Sequence, residues 1–209
     1  YDSKNNLYVR LDRKKKFLAS VFLRALGFGS DEEIIRLFYK IHRVLPEDGK
    51  LYWELSDDLA GKTVADDVTP PSSRKVLVPA KKKLTPEIIQ ELKEKRVTRV
   101  PLVKKELQGA YSLSSIKAKV KPNEELGEAQ LDLLLGRAEP FEIFFPEQDR
   151  TGPIISNPLK KDQRKDTNQA LAEIYRKLRP GEPHTMESAH NLFQNLFFNS
   201  QKYNFSRIG

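Results

Sequence analysis

Two amphipathic patterns that meet at a proline-bounded corner constrain this chain more than any other feature. Leu171, Ile174, Tyr175 and Leu178 recur at helical spacing. Pro180 and Pro183 bracket Gly181 and stop that helix, because proline lacks the amide proton that a helix interior needs. Thr185 is then an N-cap for a second helix, with Met186, Ala189, Leu192, Phe193, Leu196 and Phe197 as its apolar stripe. The expectation is helix, stiff corner, helix, with the cation Arg179 at the junction.

Related signals occupy the other end. Residues 5–11 alternate apolar and polar and predict a strand, followed by a charged knuckle at 12–16. Phe17 to Leu26 is apolar enough for a buried helix, closed by Gly27 and Gly29. Ser30 and Glu33 form a capping box for a helix carrying Ile34, Leu37, Phe38 and Ile41 on one face and ending before Pro46. Asp166 and Gln169 resemble a second capping box, for the helix that reaches Leu178.

From about 46 to 157 the texture changes to short strands, Lys-rich turns and short helices. An internal repeat is visible there. Residues 75–103 predict strand, turn, a helix capped by Thr85 with Pro86 at its first position, and strand. Residues 116–146 repeat that plan. Neither unit can bury its own apolar face, so the two are expected to pack as one subdomain with Trp53 in its core. The expected class is α+β: a mainly helical domain built from residues 1–45 and 158–209, with an inserted subdomain of repeated strand-helix-strand units at 46–157.

Composition removes several functions. Of 209 residues, 38% are apolar and 32% charged, enough for a core under a very polar surface. The absence of cysteine excludes disulfides and thiolate metal sites and fits a cytoplasmic location. Three scattered histidines do not suggest a zinc centre. No apolar run is long enough for a membrane partner, and no signal peptide is visible. The chain opens at Tyr1 and stops at Gly209 in mid-pattern, so it is expected to be part of something longer. No Ser/His/Asp, Cys/His or metal constellation is present, which argues against an independent hydrolase. Asp57-Asp58 and Asp66-Asp67 lack a third ligand at useful spacing and are expected to be surface loops. Lys81-Lys82-Lys83 is expected to be a turn.

The distribution of the net charge of +8 matters more than its size. Residues 1–45 hold 10 Lys+Arg against 5 Asp+Glu, residues 46–150 hold 18 against 19, and residues 151–209 hold 9 against 5. Positive charge concentrated at both ends favours a polyanionic partner for the ends and not for the middle. Solvated basic faces are the competing reading.

The wording of the ends resembles the lobe of the bacterial DNA-directed RNA polymerase beta subunit. The resemblance rests on Asn6 to Lys16, on Leu23-Arg24-Ala25-Leu26-Gly27, on Ile174-Tyr175-Arg176 with Arg179-Pro180-Gly181-Glu182-Pro183, and on Asn195 to Phe198 with Tyr203. The middle is similar to a lineage-specific insertion, through Leu51 to Leu55, Leu59 to Thr63 and Gly152 to Ser156. The resemblance implies a non-catalytic wall of the DNA cleft in a nucleotidyltransferase. It implies contact with the non-template strand of the promoter bubble, and neighbours among the rest of beta, beta-prime, alpha, omega and the sigma factor. It implies no cofactor in this stretch, since the polymerase magnesium is held by beta-prime. Residue by residue, Asp12, Arg13 and Lys14 match the charged knuckle near the non-template strand, Arg179 matches an arginine facing it, and Lys202 falls where some members carry arginine. Lys14, Lys15 and Lys202 stand where some relatives have arginine, which weakens base stacking at those positions and favours point charge. The insertion would serve as a docking surface for a protein regulator or as a spacer. The alternative is a free-standing protein-interaction module with basic ends.

Overall fold

The computed structural model describes residues 1–11, 15–116, 120–135, 139–183 and 185–201. The chain is mixed α and β, compatible with the α+β class, and forms two compact units: residues 1–38 with 150–209 (unit 1), and residues 39–149 (unit 2). Along the sequence run β1 (Tyr8–Leu11), β2 (Lys15–Leu18), α1 (Ala19–Ala25), α2 (Asp31–Phe38), β3 (His42–Glu47), β4 (Lys50–Glu54), α3 (Pro86–Glu94), β5 (Arg99–Pro101), β6 (Tyr111–Ser112), α4 (Glu128–Leu135), β7 (Phe141–Phe144), α5 (Ser156–Lys161), α6 (Thr167–Leu178) and α7 (Met186–Phe197).

In unit 1 the predicted first strand starts late, at Tyr8. Asn5 has φ of 54°, a left-handed conformation incompatible with an extended ladder. The Asp2 carboxylate accepts from the Lys4 and Asn6 amides and from Asn6 Nδ2, each at 2.9 Å, and so closes residues 2–6 into a turn. Phe17 and Leu18 are strand, not helix: Phe17 lies opposite Val9 and Leu18 opposite Tyr8. Cross-strand pairing there overrides helical propensity, and the helix begins only at Ala19. The capping box at α2 is present, with the Ser30 amide donating to Glu33 Oε2 (2.9 Å) and the Glu33 amide to Ser30 Oγ (3.2 Å). That helix ends at Phe38; Ile34 and Ile35 are buried, and Leu37 is half-exposed.

The unit 1 core brings the two ends of the sequence together. Leu11, Phe17, Val21 and Ala25 pack against Ala170, Leu171, Ile174, Tyr175, Ala189 and Phe193. Each large apolar side chain buried this way contributes roughly 1.5–3 kcal/mol. Beside this core lies a buried ion network that periodicity does not reveal. Arg24, 1% exposed, donates from Nε to Asp162 (3.2 Å) and from its terminal nitrogens to Asp31 and to the Gly29 carbonyl. Arg164 pairs with Glu173, and Lys177 with Glu173 at 3.0 Å.

Unit 2 is a five-stranded antiparallel sheet in the order β5-β4-β3-β7-β6. Its centre is the β3–β4 hairpin, closed by Asp48-Gly49 with φ of 49° and 72°. Two positive φ values in a two-residue loop are what a type I′ turn requires, and Asp-Gly supplies them cheaply. Pro46 sits inside β3 instead of ending a helix before it. The β7 ladder reaches only His42–Val44, so the missing amide proton of Pro46 removes no bond to β7.

Both expected helices of the middle region form, as α3 and α4, and each is followed by a strand of the same sheet, β5 and β7. The leading strands do not form as expected. Val78 makes one isolated bridge to Val68, and Val76 is half-exposed. Ile116 bridges Val120, while residues 117–119 lie outside the described residues. Thr85 caps α3, accepting from the Ile88 amide at 3.3 Å, with Pro86 in the first turn. The core is a continuous apolar cluster that includes Trp53, 1% exposed, with Ile89 and Leu92 of α3 and Leu131 and Leu134 of α4.

Candidate nucleic-acid interface

Two local structures of unit 1 carry the residues expected to face nucleic acid. The first is the β1–β2 hairpin. Leu11 and Lys15 face each other at its last described pair, and Asp12, Arg13 and Lys14, between them, lie outside the described residues. Strand alternation sends Leu11 and Phe17 into the core. The opposite face carries Tyr8, Arg10 and Lys16, with Arg10 opposite Lys16 and Lys16 Nζ 3.6 Å from the centre of the Tyr8 ring. The Tyr8 hydroxyl donates to Asp2 Oδ2 at 3.3 Å; burial and the Asp2 charge raise its pKa and keep it protonated.

The second is the α6–α7 corner. The cap of α6 is Asp166, which accepts from the Gln169 amide at 2.8 Å. The helix runs to Leu178, and the Arg179 amide donates to the Tyr175 carbonyl at 2.8 Å. Gly181 then takes φ of 86°, a conformation in which a side chain would clash with its own backbone. The Tyr175 hydroxyl and Arg179 Nη1 both donate to the Glu182 carboxylate, at 3.3 and 3.4 Å. Thr185 and Ser188 form a reciprocal capping box that starts α7. Hydrogen bonds thus tie both the Arg179–Glu182 turn and the start of α7, and the Arg179 side chain is 55% exposed.

Lys177 Nζ lies 4.7 Å from the Phe17 ring, so the last turn of α6 lies beside β2. Hairpin and corner therefore share one core and present Arg10, Lys16, Lys177 and Arg179 from neighbouring elements. Of the five residues expected to contact nucleic acid, Arg179 is placed at the corner as described. Asp12, Arg13, Lys14 and Lys202 lie outside the described residues. Lys16 belongs to the charged knuckle at 12–16, whereas Arg10 was not singled out from the sequence; its signal was the alternation within residues 8–11, which pairs a polar face with an apolar one.

Charge is divided unequally between the units. Unit 1 carries 18 Lys+Arg against 10 Asp+Glu, and unit 2 carries 19 against 19. The whole net charge of the chain thus resides in the unit that holds the hairpin and the corner. The aspartate pairs of unit 2 are engaged elsewhere: Asp57 with Lys93 (2.7 Å), Asp58 with Lys40, Asp66 with Lys50 (3.0 Å), and Asp67 accepting from the Ala80 amide (2.7 Å). Among the described residues no cluster of His, Cys, Asp and Glu is placed to hold a metal ion, and no helix is long and apolar enough to cross a membrane. Exposed cations of this kind can bind phosphate or stack on bases.

The beta subunit of DNA-directed RNA polymerase from Solibacter usitatus is 42% identical over 217 residues, covering 100% of this chain and 15% of that subunit. The chain matches a fragment of the DNA-directed RNA polymerase beta subunit. The beta subunit of Koribacter versatilis is 38% identical over 223 residues, and that of Sorangium cellulosum 36% over 218, again across the whole chain. No family model matches. The chain spans about 15% of the length of these beta subunits. Since the matches cover both units, these subunits carry a counterpart of unit 2 as well as of the basic unit 1.

Proposed function

We propose that this chain is the lobe of an RNA polymerase beta subunit, a non-catalytic wall of the DNA cleft in a transcribing nucleotidyltransferase. In this reading unit 1 faces DNA. Asp12, Arg13 and Lys14, Arg179 at the corner and Lys202 contact the non-template strand of the bubble. Unit 2 is a lineage-specific insertion that serves as a docking surface or spacer. The partners are the remainder of beta, beta-prime, alpha, omega, the sigma factor and DNA, and catalytic magnesium belongs to beta-prime. The observation that carries the reading is the segregation of charge: in a chain that matches polymerase beta subunits from end to end, all of the net +8 lies in unit 1.

Phosphate contacts of this kind give affinity and salt dependence without sequence reading. The test is binding of the 209-residue chain to single-stranded and duplex DNA at low and moderate salt, beside Arg13→Ala/Arg179→Ala. Salt-sensitive binding that favours single strands and falls at least tenfold in the double variant is the expected result. Binding untouched by the double variant overturns the residue assignment. Equal affinity for an acidic protein surface would favour the free-standing interaction module.

A further inference from the structure

The outer face of the unit 2 sheet carries a groove. Leu51 and Trp53 of β4 point into the core, so Lys50 and Tyr52 point the other way. With Asp66, Arg96, Arg99 and Pro101 they line a groove of about 320 Å³ beside β5. The Arg99 guanidinium lies 4.9 Å from the centre of the Tyr52 ring and pairs with Glu47 at 2.5 Å. Lys50 and Asp66 satisfy each other at 3.0 Å.

Arg96 is the unsatisfied member. It is exposed and makes no ion pair among the described residues. It also occupies a position that suits glycine. Val97 donates its amide to the Leu92 carbonyl and Arg96 its amide to Lys93, both at 2.9 Å. These are the two bonds of a Schellman motif, whose penultimate residue must be left-handed; Arg96 has φ of 57°. An arginine there is disfavoured by the backbone. The loop that supplies the far wall continues to Arg74 and Lys75, both exposed and without an ion pair among the described residues.

We propose that this groove docks an acidic peptide segment of another protein. A carboxylate would sit on Arg96, and an adjacent apolar or proline residue would sit against Tyr52 and Pro101. The proposal rests on the docking role proposed above for unit 2 and names its place and chemistry. A nucleic-acid backbone is the poorer occupant: Asp66 and Asp67 stand on the wall of the groove, and unit 2 has no net positive charge to attract a polyanion. A short segment with isolated carboxylates meets Arg96 without running along both aspartates.

The experiment is fluorescence anisotropy of the full 209-residue chain with a fluorescein-labelled peptide that alternates glutamate with proline and phenylalanine. Its glutamine counterpart and oligothymidine serve as comparison probes. Glutamate-dependent binding is expected, with at least a tenfold loss in Arg96→Gly and a smaller loss in Arg99→Gln. Glycine suits the left-handed position, so Arg96→Gly should fold at least as stably as the wild type, and its loss of binding would not be a folding defect. Glutamate-dependent binding that survives both substitutions overturns the groove while leaving a docking role elsewhere on unit 2 intact. Absence of glutamate-dependent binding overturns the groove outright. Oligothymidine binding that Arg96→Gly abolishes would overturn the peptide assignment in favour of nucleic acid.

Discussion

Unit 1 and unit 2 solve the problem of a small core in different ways. Unit 2 draws on one continuous stretch of chain and fills its centre with apolar side chains from Val44 to Phe145; among the described residues its buried polar ones are Ser112 and Asn123. Unit 1 is assembled from two stretches over a hundred residues apart, and beside its apolar core it buries Arg24, Asp162 and Glu173. Apolar contacts tolerate repacking, whereas a buried ion pair accepts only its own partner. Ionic specificity is thus placed where distant segments must find each other, and generic burial where local order already guides the chain.

The largest effect expected from this contrast is at Arg24. Arg24→Ala takes from Asp162, with a side chain 0% exposed, its nearer counter-charge and leaves only Arg164 at 3.8 Å among the described residues, and should cost about 3–5 kcal/mol. The single tryptophan, Trp53, lies in unit 2, so its fluorescence follows that unit while far-UV circular dichroism follows both. In urea the dichroism transition of the variant should shift to lower denaturant and the Trp53 transition should stay. Equal shifts of both would break the division into energetically separate units.

Next is Ile89→Ala, which opens a cavity under α3 and should cost about 2–5 kcal/mol, now in the Trp53 signal. A shift confined to dichroism would show that tryptophan does not report on unit 2. Thr185→Ala removes one half of the α7 capping box and should cost about 1 kcal/mol in unit 1, read by thermal denaturation; an unchanged midpoint would mean that packing alone fixes the corner.

The smallest effect is pH-dependent. Burial holds the pKa of His42 below its ordinary value of 6.5, with Lys62 and Lys40 pushing the same way and Asp58 opposing. The unfolded chain therefore takes up a proton first as pH falls. Stability from this group is complete above 6.5 and declines below it. His42→Gln should flatten the dependence of the Trp53 transition between pH 7 and pH 5.5; an identical slope would assign it to carboxylates instead.

What was legible in the sequence was local. Caps involve residues three apart, so Ser30 with Glu33, Thr85 with Pro86, Asp166 with Gln169 and Thr185 all stand where their types predict. The stop at Pro180-Gly181 is equally local. The strand bounds were not legible, because Phe17 and Leu18 suit helix and strand alike until Val9 and Tyr8 pair with them. The Arg24–Asp162 contact joins residues 138 apart, and nothing in an apolar helix pattern marks one arginine as interior. At the candidate interface, Arg179 could be placed from its corner; Arg10 and Lys16 required the register of a hairpin.

The ladder between β3 and β7 has a consequence beyond stability. Unit 2 opens at Tyr39 and closes at Asp149, and just inside those ends His42 and Ile143 are direct cross-strand partners. Neighbouring strands lie only about 5 Å apart. The ladder therefore holds the two ends of the intervening stretch side by side. A change of length anywhere between those two residues leaves the spacing of the two strands as it is.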